Sequence, residues 1–142
     1  MMAPGDTVLL PDEAATITFG RELAQSISTP WVIALSGELG AGKTTLVKGI
    51  VEGLHCIDAA ASPTFAIVHR YAGERPLVHC DWYRIERERE LVNIGWDEIV
   101  DNEERIVVEW AEKFPELLPR STRFLHLAYR DGGRTITAGS GW

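Results

Sequence analysis

Residues 37–45 read Gly37-Glu38-Leu39-Gly40-Ala41-Gly42-Lys43-Thr44-Thr45, and the stretch up to Thr44 fits the pattern G-x-x-x-x-G-K-[ST]. Glycines reach backbone angles that are closed to residues with side chains, so consecutive N–H groups curl around a phosphate. The lysine of such a loop brings a positive charge to the β- and γ-phosphates, and the hydroxyl after it is a ligand for Mg²⁺. The stretch therefore predicts a nucleotide site formed by residues 37–45.

The segments on either side of this phosphate loop support the same prediction. Residues 31–35 form a continuous apolar run, as expected of a strand buried on both faces of a parallel sheet. Residues 45–54 place apolar side chains at helical spacing, with Gly53 as a possible terminator. Strand, glycine loop and helix thus follow in the order that a phosphate site at a helix N-terminus requires. A glycine turn with only a structural role is the weaker interpretation.

Two acidic residues follow apolar segments further along the chain. Asp81 comes directly after residues 77–80, and Glu109 ends the run at residues 105–109. Ligands of open α/β sheets bind at the carboxyl ends of strands, and phosphate-loop enzymes need a second magnesium carboxylate. Glu109 is the better candidate, because a lone acid after three apolar β-branched residues is difficult to explain as surface decoration. For Asp81 two interpretations stay open, a magnesium carboxylate and a cap of the segment that follows.

The remaining pattern predicts a single domain over residues 1–142. We expect an α/β, P-loop NTPase-like three-layer fold, with a mostly parallel central sheet extended by antiparallel strands and a C-terminal hairpin. The elements expected beside those above are a strand at 7–10, a helix from Pro11-Asp12-Glu13 to about Ser28, strands at 65–71 and 77–80, helical segments between 86 and 101 broken by Gly95, and a hairpin over 123–138 that turns at 131–133.

Composition limits the function. The chain has 142 residues, 45% of them hydrophobic, and a net charge of −7 without a Lys/Arg cluster, so direct tight nucleic-acid binding is not expected. No apolar run reaches the roughly 20 residues that span a membrane, and residues 1–6 do not resemble a signal peptide, so we expect a cytoplasmic protein. Cys56 and Cys80 form no C-x-x-C pair. The histidines at 55, 69, 79 and 126 show no metal-ligand spacing and are interpreted as structural.

Six segments, taken together, resemble the bacterial TsaE (YjeE) family of small ATPases, which take part in the threonylcarbamoyladenosine (t6A) modification of tRNA. The resemblance covers nearly the whole chain, and Trp82 departs from it where the family usually has leucine. The segments are Leu10-Pro11-Asp12-Glu13, the phosphate loop with Thr45, Ser62-Pro63-Thr64-Phe65, His79-Cys80-Asp81-Trp82-Tyr83-Arg84, Leu91-Val92-Asn93-Ile94-Gly95 and Val108-Glu109-Trp110.

The resemblance implies ATP and Mg²⁺ as the ligands of the site. Thr44 and Glu109 would hold the metal, with Asp81 close by through water. Thr64 resembles a switch threonine that senses the γ-phosphate, which makes it a catalytic candidate together with Lys43, Asp81 and Glu109.

The resemblance also implies how the base is bound and which partners the protein has. The chain around Asp12 and the hairpin turn at Gly133 would flank the base. Members of the family work with two partner proteins that form the threonylcarbamoyl-transferase assembly, where ATP hydrolysis supports repeated cycles.

Three other functions are possible for a chain with a phosphate loop. A small-molecule kinase is disfavoured because no arginine-rich lid segment is present. A GTP-driven switch is disfavoured because the chain lacks an N-K-x-D segment. A non-catalytic nucleotide sensor remains open.

Overall fold

The computed structural model describes residues 2–38, 40–57 and 67–142, and it contains the helices and strands predicted within those residues. The first two residues of the strand predicted at 65–71 lie outside the described residues. In the same residues no helix combines the length and the apolar character needed to cross a membrane. The elements are β1 (Thr7–Leu10), α1 (Glu13–Ser26), β2 (Trp31–Ser36), α2 (Lys43–Gly53), β3 (Val68–Tyr71), β4 (Leu77–Asp81), α3 (Glu88–Asn93), α4 (Trp96–Asn102), β5 (Arg105–Glu109), β6 (Arg123–Arg130) and β7 (Gly133–Ala138), with 3₁₀ turns at Ala111–Lys113 and Pro115–Leu117.

The described strands form one sheet in the order β1-β7-β6-β2-β5-β4-β3. Strand β2 lies in the middle and is parallel to both β5 and β6, and β4 is parallel to β5. Strands β1, β7 and β3 pair antiparallel with their neighbours. This arrangement confirms the predicted fold class. It also brings the carboxyl ends of β2, β4 and β5 to one edge of the sheet, where Asp81 is the register partner of Glu109.

The central strands β2, β4 and β5 are buried on both faces of the sheet, which gives the three layers. On one face, residues such as Ile33, Leu35 and Val107 pack with α1 and α2. On the other face, residues such as Val32 and Val108 pack with α3 and α4. Because side chains of a strand alternate between the faces of a sheet, this burial explains the continuous apolar runs in the sequence.

Helices α1 and α2 approach each other closely because glycines lie between them. A Cβ atom on Gly20 would lie 2.5 Å from the Leu46 backbone oxygen, and one on Gly49 would lie 2.2 Å from that of Ile17. Gly53, which the sequence suggested as a helix terminator, is the last residue of α2, and its Cβ would lie 2.5 Å from the Arg21 oxygen. These contacts fix the position of α2, and therefore of its N-terminus, against the rest of the domain.

Candidate nucleotide-binding site

The phosphate loop connects β2 to α2 through glycines in backbone conformations that favour glycine. The φ angles are 139° at Gly37, 79° at Gly40 and 104° at Gly42. Gly42 is the N-cap of α2, and no side chain caps the helix there. The N–H groups of the first turn, which includes Thr44 and Thr45, are thus left for an anion. Leu39, the remaining loop residue of interest, lies outside the described residues.

Lys43 is held inside the loop, and its side chain is buried. Its Nζ donates a hydrogen bond to the Gly37 carbonyl oxygen (2.8 Å) and lies 4.1 Å from the centroid of the Trp110 ring. Trp110 has a φ of 59°, so the chain turns sharply after Glu109 and brings the indole to the lysine. An ammonium group has three N–H donors, so Lys43 retains donors for a phosphate.

Asp81 and Glu109 lie side by side at the ends of β4 and β5. The Asp81 Oδ1 accepts a hydrogen bond from the Tyr83 N–H (2.9 Å), so Asp81 does cap the segment that follows it. Burial raises the pKa of Asp81, the Tyr83 N–H opposes this, and the charge of Glu109 raises it further. The two carboxylates therefore repel each other, which is a situation that a bound cation relieves.

His79 contacts Glu109 directly. The imidazole Nε2 and the Glu109 Oε2 are 2.6 Å apart, and the two side chains are only 3% and 7% exposed. The sequence interpretation of His79 as structural gave no indication of this contact. One feature of the sequence pointed to a place near the site: His79 lies two residues before Asp81, and residues two apart in a strand lie on the same face of the sheet.

A second part of the site is a cavity of about 360 Å³ beside the phosphate loop. Asp12 and Gly133, which are predicted to flank the base, line this cavity together with Thr45 of α2. Asp12 is the N-cap of α1 and accepts a hydrogen bond from the Ala15 N–H. A Cβ atom on Gly133 would lie 2.7 Å from the Leu10 backbone oxygen, so the hairpin packs tightly against the chain before α1.

A positively charged side chain that the sequence did not indicate also lines the cavity. Arg134 lines it, and the guanidinium lies 4.0 Å from the centroid of the Tyr129 ring. The same ring reaches the phosphate loop, because a Cβ on Gly40 would lie 2.5 Å from the Tyr129 hydroxyl. The hairpin thus forms one wall of the site, and among the described residues that line the cavity Arg134 is the one with a cationic side chain.

Of the three metal ligands that the resemblance predicts, the structure places two, Asp81 and Glu109, side by side. Within the described ranges no three His, Cys, Asp or Glu side chains cluster so as to hold a metal. Thr44 is exposed in the first turn of α2, and Asp81 and Glu109 are adjacent. A magnesium ion at this edge would therefore combine a few protein oxygens with phosphate oxygens and water, as is usual for Mg²⁺. Thr64 lies in the part of the chain that the structure leaves undescribed.

Comparison with known proteins agrees with this arrangement. A sequence profile of the family described as "Threonylcarbamoyl adenosine biosynthesis protein TsaE" matches residues 10–136. The chain belongs to the TsaE family. The match includes every segment of the site, from the chain before α1 to the hairpin.

Individual TsaE proteins, and solved structures as well, are similar to the chain. The Synechocystis protein is 48% identical over 77 residues, which cover 54% of this chain and 49% of the relative. The Haemophilus influenzae protein is 31% identical over 137 residues, which cover 92% of this chain and 86% of the relative. Both are named tRNA threonylcarbamoyladenosine biosynthesis protein TsaE.

The crystal structure of YdiB from Bacillus subtilis matches with a TM-score of 0.76 and 30% sequence identity, over 97% of this chain and 86% of that one. The matched part of the chain spans about half the length of the relatives from Synechocystis and Nostoc.

Proposed function

We propose that the chain is a Mg²⁺-dependent ATPase that acts in the t6A modification of tRNA. The observation that carries the ATPase proposal is the position of Lys43. This buried cation lies at the N-terminus of α2, and its charge acts on Asp81, which is adjacent to Glu109. This edge of the sheet thus combines a positive group for phosphates with a pair of carboxylates for a metal, as phosphoryl-transfer sites require.

Binding of ATP uses both parts of the site. The glycine loop and the first turn of α2 supply N–H groups to the phosphates, and Lys43 moves from the Gly37 carbonyl to the β- and γ-phosphate oxygens. The cavity near Asp12 and Gly133 accepts the base and ribose. Arg134 adds a positive charge at this end, where Asp12 and Glu13 are acidic.

Hydrolysis depends on the carboxylate end. Thr44 and Glu109 would hold Mg²⁺, with Asp81 bound to it through water, and the ion would neutralise charge that develops on the phosphates. The adjacent carboxylates and the raised pKa of Asp81 fit such an ion. Glu109 and Asp81 also orient water at the γ-phosphate, and the buried position of Glu109 strengthens its electrostatic effect.

The place in tRNA modification is proposed from the family and from the names of its members. We expect the chain to work with the two proteins of the threonylcarbamoyl-transferase complex and to be slow without them. A switch segment that the γ-phosphate orders would carry the signal to these partners. Thr64 is the candidate for that switch, and this role rests on the resemblance of residues 62–65 to the family.

Phosphate release from ATP tests the proposal, measured with the chain alone and with the transferase complex added. We expect slow release alone, clear stimulation by the complex, and loss of release when EDTA removes Mg²⁺. Equal rates with and without the complex would contradict the place in tRNA modification and leave the ATPase proposal standing. If neither condition released phosphate, the ATPase proposal itself would be wrong.

A further inference from the structure

The contact between His79 and Glu109 is more specific than core packing requires. Both side chains are almost fully buried, and the 2.6 Å distance between Nε2 and Oε2 is that of a strong hydrogen bond. A carboxylate only accepts hydrogen bonds, so Nε2 carries the hydrogen and donates it. The bond therefore requires a hydrogen on Nε2 of His79, and it restrains the orientation of the Glu109 carboxylate.

The second ring nitrogen of His79 makes no described hydrogen bond that would explain the ring. His79 Nδ1 is buried and has no hydrogen-bond partner in the described part of the chain. A buried ring nitrogen without a hydrogen-bond partner is unfavourable, and an apolar side chain would fill the same space without that penalty. The bond to Glu109 is therefore the feature that explains a histidine at this position.

The two carboxylates of the site are restrained in the same way. One oxygen of Glu109 is bound to His79, and one oxygen of Asp81 is bound to the Tyr83 N–H. In each case the described contacts leave the other oxygen available. A carboxylate held through one oxygen loses rotational freedom before a ligand arrives, which is how outer hydrogen bonds orient metal ligands and catalytic groups.

We propose that His79 is a positioning residue that fixes the Glu109 carboxylate for hydrolysis of ATP. This inference rests on the proposed function, because it needs Glu109 to act on the metal or on the attacking water. His79 itself touches neither the nucleotide nor the metal. Its effect is on the rate of hydrolysis and on metal-assisted binding, whereas nucleotide binding without metal is independent of it.

Two variants of similar size separate this role from packing. His79→Gln retains an N–H donor at about the reach of Nε2, and His79→Leu fills the space without a donor. His69→Leu controls for altered packing beside His79, since His69 is the register partner of His79 on β3, stacks on Tyr71 and has no described contact with either carboxylate. Thermal denaturation establishes that each variant is folded. If His79→Leu does not fold, His79→Asn replaces it, because its shorter amide does not reach Glu109.

Two measurements are made on each folded variant, single-turnover hydrolysis with the transferase complex and calorimetric ADP affinity with and without Mg²⁺. We expect His79→Leu to slow hydrolysis about 10- to 100-fold and to reduce the gain in ADP affinity that Mg²⁺ gives. ADP affinity without metal should stay within about twofold of the original protein. His79→Gln should recover most of the rate, and His69→Leu should match the original protein.

Several results would overturn the inference. Hydrolysis by His79→Leu at the original rate would do so, as would equal impairment of His79→Gln and His79→Leu. A parallel loss of metal-free ADP affinity would show that His79 supports the whole site through packing. If the original protein binds ADP but never hydrolyses ATP, the proposed function fails and this inference fails with it. Hydrolysis by the original protein with indifferent His79 variants overturns the inference alone.

Discussion

The two ends of the candidate site are built in different ways. The carboxylate end consists of Lys43, His79, Asp81 and Glu109, and all but Asp81 are buried. Its groups are fixed by adjacent parallel strands and by the start of α2. The cavity end, lined by Asp12, Thr45, Gly133 and Arg134 among others, is an open space between the chain before α1, the phosphate loop and the hairpin.

This difference suggests that the two ends have different functions, catalysis at the carboxylate end and binding of the base and ribose at the cavity end. Burial in a low-dielectric region strengthens interactions between charges, and placement on strands limits their movement, which suits the end where phosphoryl transfer takes place. The cavity end has wider spaces and half-exposed side chains, which suit binding of a base and ribose. Substitutions at the carboxylate end should therefore affect chemistry or phosphate contacts strongly, and those at the cavity end should affect affinity moderately.

The largest effect on nucleotide affinity is expected for Lys43→Ala. The substitution removes the positive charge that the loop directs at the phosphates, and loss of one partner of a buried charged pair costs about 2–5 kcal/mol. ATP affinity, measured by calorimetry, should fall at least about 30-fold. Lys48→Ala, an equal change of charge at an exposed position of α2, should leave affinity unchanged. Unchanged affinity in a folded Lys43→Ala protein would contradict the assignment of the loop.

A moderate effect is expected for Arg134→Ala at the cavity end. Its guanidinium is half-buried on the Tyr129 ring, and loss of its charge beside the cavity should weaken ADP binding by about 1 kcal/mol. ADP affinity should fall about fivefold, with the rate of hydrolysis at saturating ATP retained. Arg130→Ala is the control, because Arg130 lies in the same hairpin but does not line the cavity. A lower rate of hydrolysis by Arg134→Ala at saturating ATP would contradict the assignment of binding to the cavity end and chemistry to the carboxylate end.

The smallest effect is expected for Asp81→Asn on the nucleotide-free protein. Burial and Glu109 raise the pKa of Asp81 above its ordinary value of 3.8. The folded state thus binds the Asp81 proton more tightly than the unfolded state, so wild-type stability decreases as pH rises through the raised pKa. Asparagine does not titrate, so Asp81→Asn should gain stability relative to wild type between about pH 4 and neutral pH.

Urea denaturation at a series of pH values measures this difference. A stability difference that is independent of pH, or one that shrinks as pH rises, would show that Glu109 and burial do not act on Asp81 as described.

The sequence predicted the parts of the molecule that depend on local patterns. Apolar runs and helical spacing defined the strands around the loop and helix α2, and the glycine motif located Lys43. Asp81 had two interpretations, and the structure shows its capping contact with Tyr83 as well as its place beside Glu109. The capping interpretation is confirmed, and the role of Asp81 toward a metal stays a prediction.

Contacts that depend on the order of strands in the sheet could not be predicted from the sequence. The bond between His79 and Glu109 exists because β4 pairs with β5, and nothing in either segment alone specifies that neighbour. Likewise, Tyr129 reaches Gly40 because the hairpin lies beside the phosphate loop. The resemblance to the TsaE family indicated Asp12 and Gly133 near the base, but it did not include the stacked pair of Tyr129 and Arg134.

The central claim is that the strand-end carboxylates carry out the chemistry at a phosphate loop that binds ATP. Single-turnover phosphate release by wild type and Glu109→Gln, with the transferase complex present, tests it most directly. Glutamine retains one acceptor oxygen for His79, and it replaces the charge and the second oxygen with a neutral NH2 group. We expect the rate to fall about 100-fold or more, with metal-free ADP affinity within about twofold of wild type. Release by Glu109→Gln at the wild-type rate would contradict the account.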